Sequence, residues 1–257
     1  MRVGILGAGK MGAWLAEVLC ADHEVAVYDR DPVKVQGVGG VKGLKQVSEF
    51  EAFSPQILIN AVSPENTVNA YVASASYLTR ECLLADVASI KGDIPGYYAR
   101  CGFRFASVHP MFGPTFADLA SLTEQNAVII KESDPEGAAF FEQLFLRLGV
   151  TVFRYSFQEH DEMMAYSLTT PFVSSLVFAA CVSSTAVPGT TFARHRQIAR
   201  GLLSESDILL AEILFNPQSL RQLEKITARL EFLKHVIRGK DHEEARRFFD
   251  QLRTNLG

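Results

Sequence analysis

Gly7-Ala8-Gly9-Lys10-Met11-Gly12 carries three glycines at a spacing with a chemical use. The first permits a tight turn, the second lets the backbone approach a pyrophosphate, and the third lets a helix pack against the strand before it. Lys10 and Met11 belong to the same turn, at a helix start whose free N–H groups favour an anion. Asp29 ends the next strand pattern. Its carboxylate can accept hydrogen bonds from the adenosine ribose and would repel a 2′-phosphate, which argues for NAD over NADP. Arg30 and Lys34 follow; they either neutralise such a phosphate or are ordinary surface charge. Ser63-Pro64 closes a further strand and either touches the cofactor or starts a helix.

Two more strand ends carry polar residues at the same sheet edge: Asp86-Val87-Ala88-Ser89-Ile90-Lys91 and Val108-His109-Pro110-Met111-Phe112-Gly113-Pro114. In open α/β sheets a substrate meets the nicotinamide at that edge. His109 is a candidate proton acceptor there, or a histidine satisfied by a loop carbonyl. Ser89 offers a hydroxyl that could orient substrate or cofactor.

These residues need a sheet to hold them. Short apolar runs at 3–6, 24–28, 56–61, 83–86, 104–108, 127–131 and 151–155 alternate with helical patterns, the signature of parallel strands with crossover helices. Asp134-Pro135 and Ser63-Pro64 read as helix starts. After Ser156 the pattern turns wholly helical, so domains of residues 1–156 and 157–257 are expected. The stretch from Asp161 to Val182 is apolar on nearly every face, with Pro171 expected to kink it. Leu220, Leu223, Ile226, Leu230, Leu233 and Ile237 recur at helical spacing after Asn216-Pro217. A helical region of this size has more apolar surface than it can cover alone, and a homodimer would bury the excess.

Composition excludes several classes. With 48% hydrophobic and 21% charged residues, the 257-residue chain is neither disordered nor of low complexity. A net charge of −4 without a basic run argues against nucleic acid. No stretch reads as a membrane span or signal peptide. The four cysteines show no paired spacing, so neither metal nor disulfides are expected. The expectation is a reduced, cytoplasmic protein.

Taken together, H-P-M-F-G-P at 109–114, D-V-A-S-I-K at 86–91 and E-H-D-E-M-M-A-Y at 159–166 resemble the prephenate dehydrogenase family, which includes the arogenate dehydrogenases. The resemblance runs along nearly the whole chain. It implies an α/β fold, with an N-terminal Rossmann dinucleotide-binding domain and an all-helical dimerisation domain. It also implies NAD-dependent oxidative decarboxylation of prephenate to 4-hydroxyphenylpyruvate, in tyrosine biosynthesis. On it, His109 accepts the proton of the ring hydroxyl, and Ser89 sits between that hydroxyl, the histidine and the nicotinamide. His160 and Asp161 support the site. An arginine on a later helix holds the ring carboxylate. Arg196 and Arg200, four residues apart on one face, are the expected pair, with Arg194 behind them.

One position departs from the family pattern. Relatives place a histidine twelve residues after the His-Asp pair, where this chain has Phe172, and the choice between prephenate and arogenate stays open. A dinucleotide-binding sensor without catalysis is the reading from another class. Ser89 and His109 together count against it.

Overall fold

The computed structural model describes residues 1–113, 122–183, 187–205 and 207–257. Pro114, the last residue of the H-P-M-F-G-P run, lies outside them. The chain divides into two compact units, Met1–Asp161 and Glu162–Gly257.

In the first unit the strands are β1 (Arg2–Leu6), β2 (Glu24–Tyr28), β3 (Lys42–Leu44), β4 (Ile57–Asn60), β5 (Leu83–Asp86), β6 (Phe105–Pro110), β7 (Asn126–Ile130) and β8 (Thr151–Tyr155). They form one sheet in the order β3-β2-β1-β4-β5-β6-β7-β8. The order reverses between β1 and β4, where Val3 to Leu6 pairs in parallel with Ile57 to Asn60. Side chains of β4 and β5 are buried throughout, because helices cover both faces: α1 (Lys10–Leu19), α2 (Pro32–Gln36), α3 (Glu49–Phe53), α4 (Thr67–Ser74), α5 (Ile94–Cys101) and α6 (Pro135–Arg147). Each fully buried Leu, Ile or Val contributes about 1.5–3 kcal/mol relative to exposure. That is why these strands read as continuous apolar runs and not as alternating ones.

Two features of the sheet differ from the sequence expectation. β3 was not foreseen, since a three-residue edge strand with one buried side chain leaves no pattern. And β7 pairs antiparallel to β6, with Val108 opposite Ile129 and Pro110 opposite Ala127. β8 then runs parallel to β7, so the last two strands oppose the other six. Apolar periodicity carries no information about strand direction.

The helix starts follow local chemistry. Asp134 accepts hydrogen bonds from the N–H groups of Glu136 and Gly137 at 3.0 and 3.4 Å, with Pro135 in the first turn of α6. Ser63 differs from the cap reading. It precedes a short 3₁₀ turn, Pro64–Asn66, and its hydroxyl donates to Glu65 Oε1 at 2.5 Å instead of capping a backbone N–H.

Helix α7 (Phe157–Met164) passes through a π-helical turn, Ala165–Thr169, into α8 (Thr170–Ala180). Pro171 lies in the first turn of α8. Having no N–H, it breaks the regular ladder without ending the helix, and the turn before it widens. The second unit continues with α9 (Thr190–Leu202), α10 (Asp207–Phe215), α11 (Ser219–Gly239) and α12 (His242–Leu256). Asn216 Oδ1 accepts from the Gln218 N–H at 2.8 Å just before α11. The Thr169 and Ser219 hydroxyls meet at 2.8 Å inside the unit. Its apolar stripes are incompletely buried. Tyr166, Val177, Leu220, Leu223, Leu230, Leu233 and Ile237 are exposed in the single chain, so the Asp161–Val182 stretch is not covered on every side.

Candidate active site

The turn after β1 opens into a cleft of about 700 Å³, lined among others by Gly7, Gly9, Asp29, Arg30, Lys34, Ser63 and Asn66. That volume suits a small-molecule or cofactor site. Gly7 has φ +93°, and a Cβ there would lie 2.9 Å from the Ala61 carbonyl oxygen. A Cβ on Gly12 would lie 2.0 Å from the Gly7 oxygen, so no other residue fits that helix–strand contact. At Gly9 a Cβ would meet no protein atom within 4 Å. The first and third glycines are therefore required by the protein's own packing. The second faces open space at the start of α1, as a pyrophosphate cradle needs.

Asp29 holds the turn as well as facing the cleft. Its Oδ2 accepts from the Ala8 N–H at 2.7 Å and its Oδ1 from the Asp31 N–H at 2.8 Å. Each oxygen keeps a further acceptor site for a ribose hydroxyl. Arg30 reaches across to Asn66 Oδ1 at 3.3 Å, and Asn66 donates to the Ser63 hydroxyl at 3.0 Å. Asn66 and Asn69 line the same cleft and were missed in the sequence. An asparagine on a surface helix gives no signal there. Lys10, Met11, Gly12 and Pro64 belong to the adjoining turns but do not line the cleft. The acceptors and open backbone fit a dinucleotide.

Two strands along the same edge stands the second cluster. His109 is 7% exposed near the end of β6. Its Nδ1 lies 3.1 Å from Nε2 of His160, the two rings set edge to face. His160 is wholly buried, and its Nδ1 lies 3.1 Å from Asp161 Oδ1. Both come from α7, which starts beside the beginning of β6, where the Phe157 and Phe105 rings are 6.1 Å apart. Burial holds His109 well below its ordinary value of 6.5, and the charges of His160 and Lys91 push the same way. His160 is also lowered by burial, with Asp161 pulling in the other direction. Burial thus favours the neutral form of both rings. The loop carbonyl considered for His109 is not its partner at Nδ1; a second imidazole is. Ser89 is half-buried in the loop after β5.

Beneath His109 lies a group that the sequence did not single out. Lys91 is fully buried, with its Nζ 2.7 Å from Asp86 Oδ1 and 2.8 Å from the Val108 carbonyl oxygen. Burial lowers Lys91 from its usual range, and Asp86 works against that shift. The Tyr98 hydroxyl donates to Asp86 Oδ2 at 2.9 Å, and Tyr71 OH meets Tyr98 OH at 2.9 Å. Lys91 thus fastens the end of β5 to the residue before His109. The D-V-A-S-I-K spacing was the available signal, but an Asp and a Lys five apart read equally well as surface charge. Arg196 and Arg200 lie on α9 of the second unit, the first half-buried and the second exposed.

Comparisons with known proteins agree with this layout. Residues 2–94 match the NAD binding domain of 6-phosphogluconate dehydrogenase, so this segment is an NAD-binding domain. The chain is 23% identical to arogenate dehydrogenase 1, chloroplastic, of Arabidopsis thaliana, over 95% of its own length and 40% of that protein's. It therefore spans well under half of this relative. The solved structure of prephenate dehydrogenase from A. aeolicus, in complex with hydroxyphenyl propionate and NAD+, superposes with a TM-score of 0.85 at 17% identity, covering 99% of this chain and 96% of that one. Arogenate dehydrogenase from Synechocystis superposes with a TM-score of 0.77 at 19% identity, covering 99% and 98%. The likeness in fold thus extends through the helical unit as well as the dinucleotide-binding part, and the relatives and solved structures that the chain resembles along its length are prephenate and arogenate dehydrogenases.

Proposed function

We propose that the protein oxidatively decarboxylates prephenate, with NAD as the preferred oxidant. The observation that carries this reading is His109: a buried, neutral imidazole backed by a second one, at the strand edge that also bears the dinucleotide cradle. The oxidised cofactor, when bound, accepts the hydride from the ring carbon that bears the hydroxyl. His109 takes up the hydroxyl proton as the carbonyl forms. Loss of the ring carboxylate as carbon dioxide then restores aromaticity and leaves the ring oxygen to be reprotonated. Counting atoms, no proton is released overall, so His109 can return the one it took.

The other assignments are parts of the same proposal. Gly7 and Gly9 cradle the pyrophosphate, and Lys10, Met11 and Gly12 form the adjoining helix start that holds the cradle in shape. Asp29 selects the free ribose, Arg30 flanks the adenosine, and Ser63 and Pro64 border it. Ser89 orients the substrate hydroxyl, and Arg196 or Arg200 pairs with a substrate carboxylate. A homodimer through the helical unit and a cytoplasmic location complete the reading. The helical run Phe157–Ala180 is long and apolar enough, by length and composition, to cross a bilayer. The hydrogen bonds of His160 with His109 and Asp161, and of Glu159 with Lys131, support a helix of a globular fold instead.

Arogenate is the second reading, and Phe172 favours it. This side chain, 5% exposed, offers no hydrogen bond where relatives carry a histidine, which would remove one donor for a keto side chain. Reduction of NAD and of NADP, each followed with prephenate and with arogenate, tests the proposal. Turnover of prephenate with NAD as the better oxidant is expected. Turnover of arogenate alone would select the second reading, and none with either substrate would overturn both.

A further inference from the structure

We infer that Asp161 and His160 form a positioning chain that fixes the tautomer of His109, with the proton on Nδ1 and Nε2 left as the accepting nitrogen. The inference rests on the proposed dehydrogenase reaction for its purpose, but the tautomer follows from the hydrogen-bond geometry and the burial of the two rings, whatever the substrate. Asp161, as a carboxylate, can only accept, so the hydrogen bond at 3.1 Å to His160 Nδ1 requires the proton to be on that nitrogen. A neutral His160 then has a bare Nε2. That nitrogen faces His109 Nδ1 at 3.1 Å, so His109 must be the donor. Neutral His109 carries one proton, and this geometry places it on Nδ1.

The opposite arrangement would need His160 to carry two protons, or Asp161 to carry one. Full burial of the His160 side chain opposes the first. Access of Asp161 to water, with its side chain 27% exposed, opposes the second.

The consequence for chemistry is directional. The O–H bond of the substrate breaks and its proton bonds to Nε2, while the hydride leaves with two electrons for the oxidised NAD. The bond between ring and carboxylate then breaks, its electron pair enters the ring, and carbon dioxide departs. The ring oxygen regains the proton from Nε2. During the interval His109 is a cation inside the protein. His160 Nε2 accepts from its Nδ1–H, and the Asp161 charge lies behind. Both act through His109 and touch no reacting atom. The charged groups around the pair come from two sides: Asp161 from α7, and the Lys91–Asp86 ion pair from the loop after β5, with Tyr98 on Asp86.

Multiple-bond ¹H–¹⁵N correlation spectra of the full chain, labelled at histidine and recorded without ligand, read the tautomer directly. His109 should show a protonated Nδ1 and a bare Nε2 at neutral pH, with the signals assigned by their loss in His109→Gln and His160→Gln. A protonated Nε2 on His109 would overturn the inference whatever the enzyme's substrate proves to be.

Kinetics supply the second arm. Asp161→Asn keeps a hydrogen-bond acceptor but removes the charge, so kcat should fall by about 10- to 10²-fold. That lies below the roughly 10⁴-fold cost of the same change behind a deeply buried histidine base, because water reaches Asp161. The acid limb of kcat/KM should move to lower pH, KM for NAD should hold, and Asp161→Glu should restore part of the rate. A loss of rate with an unmoved limb would mean that Asp161 only supports the fold. Absence of wild-type turnover with both substrates would defeat the dehydrogenase reading and leave the spectra to decide the tautomer.

Discussion

At the scale of single residues, His109 is the position where sequence and structure speak most differently. The sequence offers a histidine in a loop-like run, with two readings open. The structure gives it a partner, His160, fifty-one residues away. No periodicity links two residues so far apart, and only the family resemblance brought both forward. His109→Ala should lower kcat by about 10²–10⁴-fold while leaving NAD binding intact, checked by turnover and by titration with the cofactor. The pH dependence should depart from that of an ordinary histidine. Because burial disfavours the imidazolium at His109, the neutral acceptor persists below pH 6.5, and the acid limb of kcat/KM should lie below that value. Stability follows the same sign. Below about pH 6.5 the unfolded chain binds protons that buried His109 and His160 refuse, so stability should hold above that pH and decline as acid is added. Urea midpoints between pH 5 and pH 7.5 measure it. Gly7 and Gly12 were fully legible as residues, since their spacing states a steric need that the structure then shows.

At the scale of elements, the strands that carry the site were readable because burial on both faces leaves unbroken apolar runs. β2, β5 and β8 fall where the sequence puts them, and β1, β4, β6 and β7 within two residues at either end. What escaped was anything that depends on neighbours. The direction of β7, the short edge strand β3 and the Lys91–Asp86 pair are all set by contacts between distant segments. The pair ties two strand ends together, and its removal should be felt there. Lys91→Met leaves the Asp86 charge buried without its cation and should cost about 3–5 kcal/mol. Changing both partners together, Asp86→Asn with Lys91→Met, should cost less than the single change. Chemical denaturation of the three variants checks the order. Additive losses would mean that the two side chains do not act as a pair.

At the scale of the whole molecule, the second unit leaves a row of large apolar side chains uncovered, among them Leu220, Leu223, Leu230 and Ile237 on α11. Contiguous patches of this kind are uncommon on monomers. Sedimentation should find a dimer, and charged substitutions at Leu223 and Leu230 together should shift it toward monomer without unfolding the chain. A wild-type monomer over a wide dilution range would refute the assembly. Asp29→Ser tests the first unit. It should narrow the preference for NAD over NADP, and, because Asp29 also holds the Ala8 and Asp31 N–H groups, it should lower thermal stability as well. A change in preference alone would show that the turn keeps its shape unaided.

The antiparallel reversal between β6 and β7 bears on how such a molecule can be taken apart. Because β7 and β8 run back across the sheet, the chain leaves β8 at the edge where β6 begins. The next helix then starts beside Phe105 and carries His160 to the level of His109. The apolar pattern changes character at Ser156, and a chimera between relatives would naturally be joined there. That joint would exchange His160 and Asp161 along with the donor's helices and pair the recipient's His109 with a foreign imidazole. A joint after Asp161 keeps His160 and Asp161 with the sheet that carries His109, so the two crossovers, five residues apart, should yield hybrids with different turnover from the same parents.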